Sequence, residues 1–275
     1  PPRSTLSPSS AASDVYKRQE YFRWMVSFLG VHEDVFRFNI NNFNNRKRLM
    51  MDKLRNAIHT GDVDEDILPH LEILNSFPFC FTTSSCSGRI ALIDAPLIGP
   101  KRESFKVHRW HSPTDFATIC RVIDKYSPRH ILWLKYDSFI ISFSVSSLSW
   151  AAFFIRLARY INLKDSGIRS INPKAGYVNM DFMSTEKISV PVKTRTKKLL
   201  NYDDLKHIIN IALFLMLKNK IKLSLLYECL EKISGFIKKN PESIPDLHIF
   251  DPILDRYRQK LEGLRTNTLF MMYNG

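Results

Sequence analysis

The chain has 275 residues, 44% of them hydrophobic, enough to bury a real core in one main domain with appendages. Forty Lys and Arg against 27 Asp and Glu give a formal charge of +13 and an isoelectric point near 9.6, which favours a polyanionic partner, either nucleic acid or an acidic membrane surface. The apolar runs, such as Ile208 to Leu217, fall short of the roughly 20 residues that a membrane span needs.

Residues 1–19, PPRSTLSPSSAASDVYKRQ, are rich in Ser and Pro without an apolar period and read as a disordered or artefactual leader. Residues 20–45 carry Phe22, Trp24, Phe28, Phe36, Phe38 and Phe43 and read as a packed aromatic extension. From Arg46 to Ile58, Leu49, Leu54, Ala57 and Ile58 recur at helical spacing. A second helix restarts in TGDVDEDILPHLEILNS, with Asp62 or Asp64 as its cap. RIALIDAP and ESFKVHRWH read as strands, Asp115 to Lys125 as a helix, and HILWLKYDSFIISFSV as strand. LSWAAFFIRLARYINL is a helix, followed by SGIRSI, YVNMDFMS and KISVPV as short strands. Asp203 to Lys239 is a long helical pattern that Pro241 and Pro245 end, with Lys206, Lys218, Lys220, Lys222 and Lys232 as a solvated face and part of a phosphate footprint. This order predicts an α+β fold: a single main domain over 46–239 with a large mixed β-sheet flanked by helices and a long C-terminal helix, then a tail over 240–275.

Four cysteines, Cys80, Cys86, Cys120 and Cys229, lack CxxC spacing, which argues against a zinc ribbon or iron–sulfur site and fits a reducing, cytoplasmic setting. The nine glycines form neither a P-loop nor a dinucleotide fingerprint. Two local constellations carry chemistry. FTTSSCSGRI, residues 81–90, gathers hydroxyls and backbone donors around Gly88 and Arg89, an anion cradle or an ordinary turn. KVHRWH, residues 106–111, sets Trp110 beside His111, a stacking face beside a titratable group. A nucleophilic triad from Cys86 or Ser87 with His111 lacks the GxSxG elbow.

In their order and spacing, GDVDEDILPHLEILN, FTTSSCSGRIALID, RWH, LWLKYDSFIISF, SGIRSI and ISVPV resemble the tRNA wybutosine-synthesizing protein 3 family from about Arg46 to Lys232. The resemblance implies an S-adenosylmethionine-dependent methyltransferase acting on N-4 of the demethylwyosine-type base 3′ of the anticodon of tRNA-Phe. The anticodon stem-loop is then its partner, with no membrane or metal. By the same resemblance, His111 and Arg89 are the catalytic candidates, and Ser85, Ser87, Gly88, Trp110, Lys135, Ser166 and Gly167 bind cofactor or substrate. The chain departs from the family pattern at Asp137, Ser138 and Ser142, where a histidine-bearing strand motif is expected, and at Leu213, where an asparagine is expected. These departures keep a second reading open: a divergent, non-catalytic tRNA- or RNA-binding protein of the same fold.

Overall fold

The computed structural model describes residues 38–274 apart from residue 242; the leader and residues 20–37 of the aromatic extension lie outside them. Helix α1, Ile40–His59, starts where the Asn39 side chain accepts the Asn42 N–H. Its first turn sits on the turn after Pro173, with Asn39 N–H donating to the Pro173 carbonyl at 3.2 Å. Phe43, its one buried residue, packs on Phe81 at 5.2 Å between ring centroids, so α1 lies against strand β1. A short 3-10 turn, Glu65–Ile67, leads into α2, Leu68–Ser76.

Eight strands follow: β1 Cys80–Cys86, β2 Arg89–Ala95, β3 Phe105–Trp110, β4 Ile131–Asp137, β5 Ile140–Val145, β6 Gly167–Asn172, β7 Tyr177–Met183 and β8 Lys187–Thr194. Between them lie α3, Phe116–Lys125, and α4, Leu148–Tyr160; α5, Tyr202–Lys239, and α6, Asp251–Asn274, follow β8. The architecture is α+β with a long C-terminal helix, as the element order implied. The strands divide, however, into two four-stranded antiparallel sheets, β1-β5-β7-β6 and β3-β2-β4-β8, where one mixed sheet was expected.

The division has a local cause. Three strand runs pass from one sheet to the other, each broken by a short linker: Ser87-Gly88 after β1, Ser138-Phe139 after β4, and Ser184 to Glu186 after β7. HILWLKYDSFIISFSV, read as continuous strand, is thus β4 and β5 with a break at Ser138-Phe139. The strand order is the same on both sides, so the linkers lie next to one another and form a seam; the Ser138 hydroxyl donates to the Ser184 carbonyl at 2.7 Å.

A ladder interrupted inside a protein leaves backbone groups that need partners. Helix α5 supplies them. Asn219, 1% exposed, accepts the Phe139 N–H at 3.0 Å and donates to the Ser87 carbonyl at 3.0 Å. Lys222, three residues along, donates to both oxygens of Glu186 at 2.8 and 2.9 Å and to the Ser184 hydroxyl at 2.9 Å. Of the lysines read as a solvated face, Lys222 is therefore buried, Lys218 also reaches Glu186 at 2.9 Å, and Lys220 pairs with Asp66 at 2.7 Å. Asn219→Ala leaves the Phe139 N–H and the Ser87 carbonyl unpaired. Urea unfolding at an unchanged m-value should show a loss of about 2–4 kcal/mol.

Two apolar clusters form the core. The first joins α2, α4 and the inner faces of β1, β5 and β7 to Leu223 through Ile237 of α5. The second joins α3 and the inner faces of β2 and β4 to Leu205, Ile209, Ala212 and Met216 of the same helix. At 38 residues, α5 runs about 57 Å and ties both sheets together. Phe250, Ile253, Leu254 and Tyr257, in the segment after Lys239, are buried in the first cluster. Among the described residues, no helix is long and apolar enough to cross a membrane.

Candidate active site

The serine-rich block runs from the first sheet into the seam. Between the pairs Thr82↔Phe143 and Ser85↔Ile141 the register shifts, leaving Thr83 and Ser84 opposite the single residue Ser142. Such a bulge re-aims side chains without ending the strand. Ser85 Oγ is buried beside it without a hydrogen-bond partner. Beyond Cys86 the chain turns at Gly88, whose φ of +94° suits glycine. A Cβ there would lie 2.9 Å from Asn219 Nδ2 and 3.1 Å from both the Asp137 carbonyl and the Phe139 nitrogen. The glycine is thus required by the packing of the seam itself.

Asp64 joins this block from the loop before α2. It occupies the N-cap position of the 3-10 turn but makes no side-chain cap there. Its Oδ2 instead accepts the Ser87 N–H at 2.8 Å and the Ser87 hydroxyl at 3.0 Å. On its other side, Oδ1 lies 3.1 Å from His111 Nδ1, off the axis of a ring N–H, so the contact is electrostatic and Nδ1 has no hydrogen-bond partner. Burial works to raise the Asp64 pKa, but the Ser87 N–H, the His111 charge, and the Ser87 hydroxyl and Cys86 thiol together outweigh it and hold the carboxyl below its ordinary range.

Arg89 opens β2 with Nη1 3.4 Å from Cys86 Sγ. Burial pushes the Cys86 thiol up despite the Gly88 N–H and the Arg89 charge, so the sulfur stays protonated near neutrality. A nucleophilic reading loses support on both counts, because the Ser87 hydroxyl is spent on Asp64 and not on His111. Asp64, Cys86 and His111 hold their ligand atoms within 4.8 Å of one another, close enough to share a cation. Arg89 sets a positive charge against the same sulfur.

The other expected site residues are dispersed. Trp110 stands opposite Ile90, packs half-buried against the second core and lies 4.3 Å from the His108 ring. Lys135 stands opposite Ala91 and Ser189, and Ala91 also faces Arg109. Arg89, Asp137 and Lys187 form the next row. Directly opposed residues share a sheet face, and this one is turned away from α3 and α5, so Arg89, Arg109, Lys135 and Lys187 share one face with Asp137, and Lys187 pairs with Asp165 at 2.9 Å. Ser166 is buried on the other sheet, where its Oγ accepts the Met183 N–H at 2.9 Å. Gly167 opens β6 with nothing within 4 Å of where a Cβ would be. Of the expected site residues, the structure therefore brings Ser87 and His111 together on Asp64, with Arg89 against the neighbouring Cys86 sulfur and Lys135 on the adjoining sheet face.

The family model of methyltransferase TYW3 matches residues 45–232. The chain belongs to that family. The tRNA(Phe) 7-((3-amino-3-carboxypropyl)-4-demethylwyosine(37)-N(4))-methyltransferase 1 of Thermococcus kodakarensis is 32% identical over 192 residues, 70% of this chain and 96% of that relative. The enzyme of the same name from Pyrococcus furiosus is 33% identical over 171 residues, 62% of this chain and 86% of the relative. The solved structure of the PH1069 protein from Pyrococcus horikoshii matches with a TM-score of 0.65 at 30% identity, over 70% of this chain and 97% of that one. As a TYW3-family methyltransferase the chain works with a methyl donor. The matched span contains the bulge, the seam and the Asp64–His111 pair, and it ends before α6 begins.

Proposed function

We propose that this chain transfers a methyl group from S-adenosylmethionine to N-4 of the demethylwyosine-type base 3′ of the anticodon of tRNA-Phe, in the cytoplasm. The reading takes its substrate from the names of the relatives. The observation that carries it on this chain is the Asp64–His111 pair set against the serine-rich block and next to a basic sheet face. Residues 46–239 form the catalytic unit in this reading, with Phe250, Ile253, Leu254 and Tyr257 packing against it.

The donor set fits the methyl donor. Ser85 Oγ is a buried polar atom without a hydrogen-bond partner, and Arg89 has no carboxylate partner among the described residues. Bound S-adenosylmethionine supplies a methyl already activated on a sulfonium, so the protein's task is alignment and removal of the N-4 proton. His111 takes that proton. Asp64, held ionised by Ser87, favours the tautomer with hydrogen on Nδ1; it leaves Nε2 as the acceptor and stabilises the imidazolium that follows. A base beside the anticodon lies in a single-stranded loop, where it can be splayed out without melting a duplex. Arg109 and Lys135 then meet the phosphates on either side.

The test is transfer of labelled methyl to tRNA-Phe carrying the aminocarboxypropyl-demethylwyosine precursor, with unmodified tRNA as control. Label in the precursor alone supports the reading; label in neither, with tRNA still bound, overturns it in favour of a non-catalytic RNA-binding relative. Arg109→Gln and Lys135→Gln should each weaken tRNA binding and lower the slope of log Kd against log salt by about one. Unchanged slopes would remove this sheet face from the RNA interface.

A further inference from the structure

The bulge that puts Thr83 and Ser84 opposite Ser142 opens onto a cavity of about 360 Å³ on the first sheet, below α1. That volume falls within the range of roughly 300–1,000 Å³ typical of small-ligand sites. Its charged groups are Arg46 from α1 and Arg169 and Asp181 from β6 and β7. Nε of Arg169 donates to Oδ2 of Asp181, whose side chain is 8% exposed. Arg46 is exposed at the rim and has no ion-pair partner among the described residues. The Ser142 hydroxyl makes no hydrogen bond among the described residues, whereas Ser144 and Asn179 satisfy each other at 2.6 Å. The rings of Phe81 and Tyr177 supply an apolar wall.

An unpaired guanidinium, a carboxylate with one oxygen uncommitted, free hydroxyls and an apolar wall together match an α-amino acid group on a short alkyl stem. Its carboxylate would be bound by Arg46 and its ammonium by Asp181. We infer that this cavity is the subsite for a 3-amino-3-carboxypropyl group. The inference rests on the proposed function, and in that reaction two molecules carry this group: the precursor base and the methyl donor. The same block serves both places, because Ser84 lines the cavity while Ser87, three residues on, holds Asp64 beside His111. Three extended residues span at most about 11 Å, so a ligand with its ring or sulfur near His111 can seat its amino-acid arm here.

Arg46→Gln, a substitution on the exposed face of α1, tests the subsite by equilibrium binding in the full-length chain. The probes are S-adenosylmethionine against 5′-methylthioadenosine, which lacks the arm, and tRNA-Phe bearing the precursor base with and without the arm. If the base's arm is bound, the variant loses about tenfold or more in affinity for armed tRNA only. If the donor's arm is bound, it loses as much for S-adenosylmethionine while methylthioadenosine is unaffected. Equal loss for armed and unarmed tRNA marks a plain surface charge, and that result, or no change with any probe, overturns the inference. None of these outcomes requires turnover. A wild-type chain that binds the armed ligands through Arg46 but methylates no tRNA would sink the proposed reaction and leave the subsite standing.

Discussion

His111→Ala is expected to lower the methyl-transfer rate constant by about 10²-fold or more while changing the tRNA dissociation constant less than about twofold. Positioned proton acceptors contribute roughly 10²–10⁴ to such steps, and His111 is the titratable side chain that the serine-rich block and Asp64 hold together. Asp64→Asn should give a smaller loss of rate, since it keeps the contacts to Ser87 but removes the charge facing the imidazole. It carries a second signature. The folded-state pKa of Asp64 lies below its unfolded value, so its stabilisation is present above an unfolded pKa of about 3.9 and is lost as pH falls through the folded value. Urea midpoints of Asp64→Asn should therefore fall below wild type near neutrality and converge with it on acidification. A His111→Ala chain that methylates at the wild-type rate would remove the Asp–His pair from the mechanism.

What the sequence disclosed and what it withheld divide by sequence separation. FTTSSCSGRI and RWH are legible because each concentrates its signal within ten residues, and the α+β order follows from periodicity alone. Asp64 looked like a helix cap, since an acid before a helix ordinarily is one; only the fold brings it to Ser87, 23 residues away. Lys222 reads as one more position on a lysine-bearing helix, and nothing local marks Asn219, because their partners lie far off: Ser87 is 132 residues from Asn219 and Glu186 is 36 from Lys222. Leu213, where an asparagine was expected, packs at the second core, and the buried asparagine of α5 is Asn219. Gly88 was legible as a special position but not its reason, which is the space taken by Asn219 and the neighbouring linker. The break of one apparent strand into β4 and β5 has the same origin: a seam is a relation among three linkers, and none of them announces it alone.

Glu186→Ala is expected to be among the most destabilising single changes in the chain, at about 3–5 kcal/mol near neutral pH. The Glu186 side chain is 4% exposed and accepts from Lys222, Lys218 and the Ser184 hydroxyl. Burial alone would raise its pKa; the hydrogen bonds from Lys222, Ser184 and Lys218 reverse that and bring it down from 4.5 to about 2. A shift of that size corresponds to about 3 kcal/mol of stability. The partner tells a different story, because burial lowers the Lys222 pKa by more than Glu186 restores it. The two agree once the partners are counted: burial acts first on both groups, but three donors offset it at the carboxylate, whereas the ammonium has Glu186 alone to offset it and the Lys218 and Lys164 charges against it. Removing the carboxylate strands that ammonium, while Lys218, whose side chain is 33% exposed, can turn to water. Glu186→Gln combined with Lys222→Met should accordingly recover much of the loss, since neither charge is then buried. The pH dependence fixes the sign. With a folded pKa below the unfolded one, the stabilisation by Glu186 is complete above about 4.5 and lost as pH falls toward about 2, so the gap between wild type and Glu186→Ala should narrow over that interval. A gap that stays constant from neutrality to pH 2 would mean the seam is held by packing, with the ion pair contributing little.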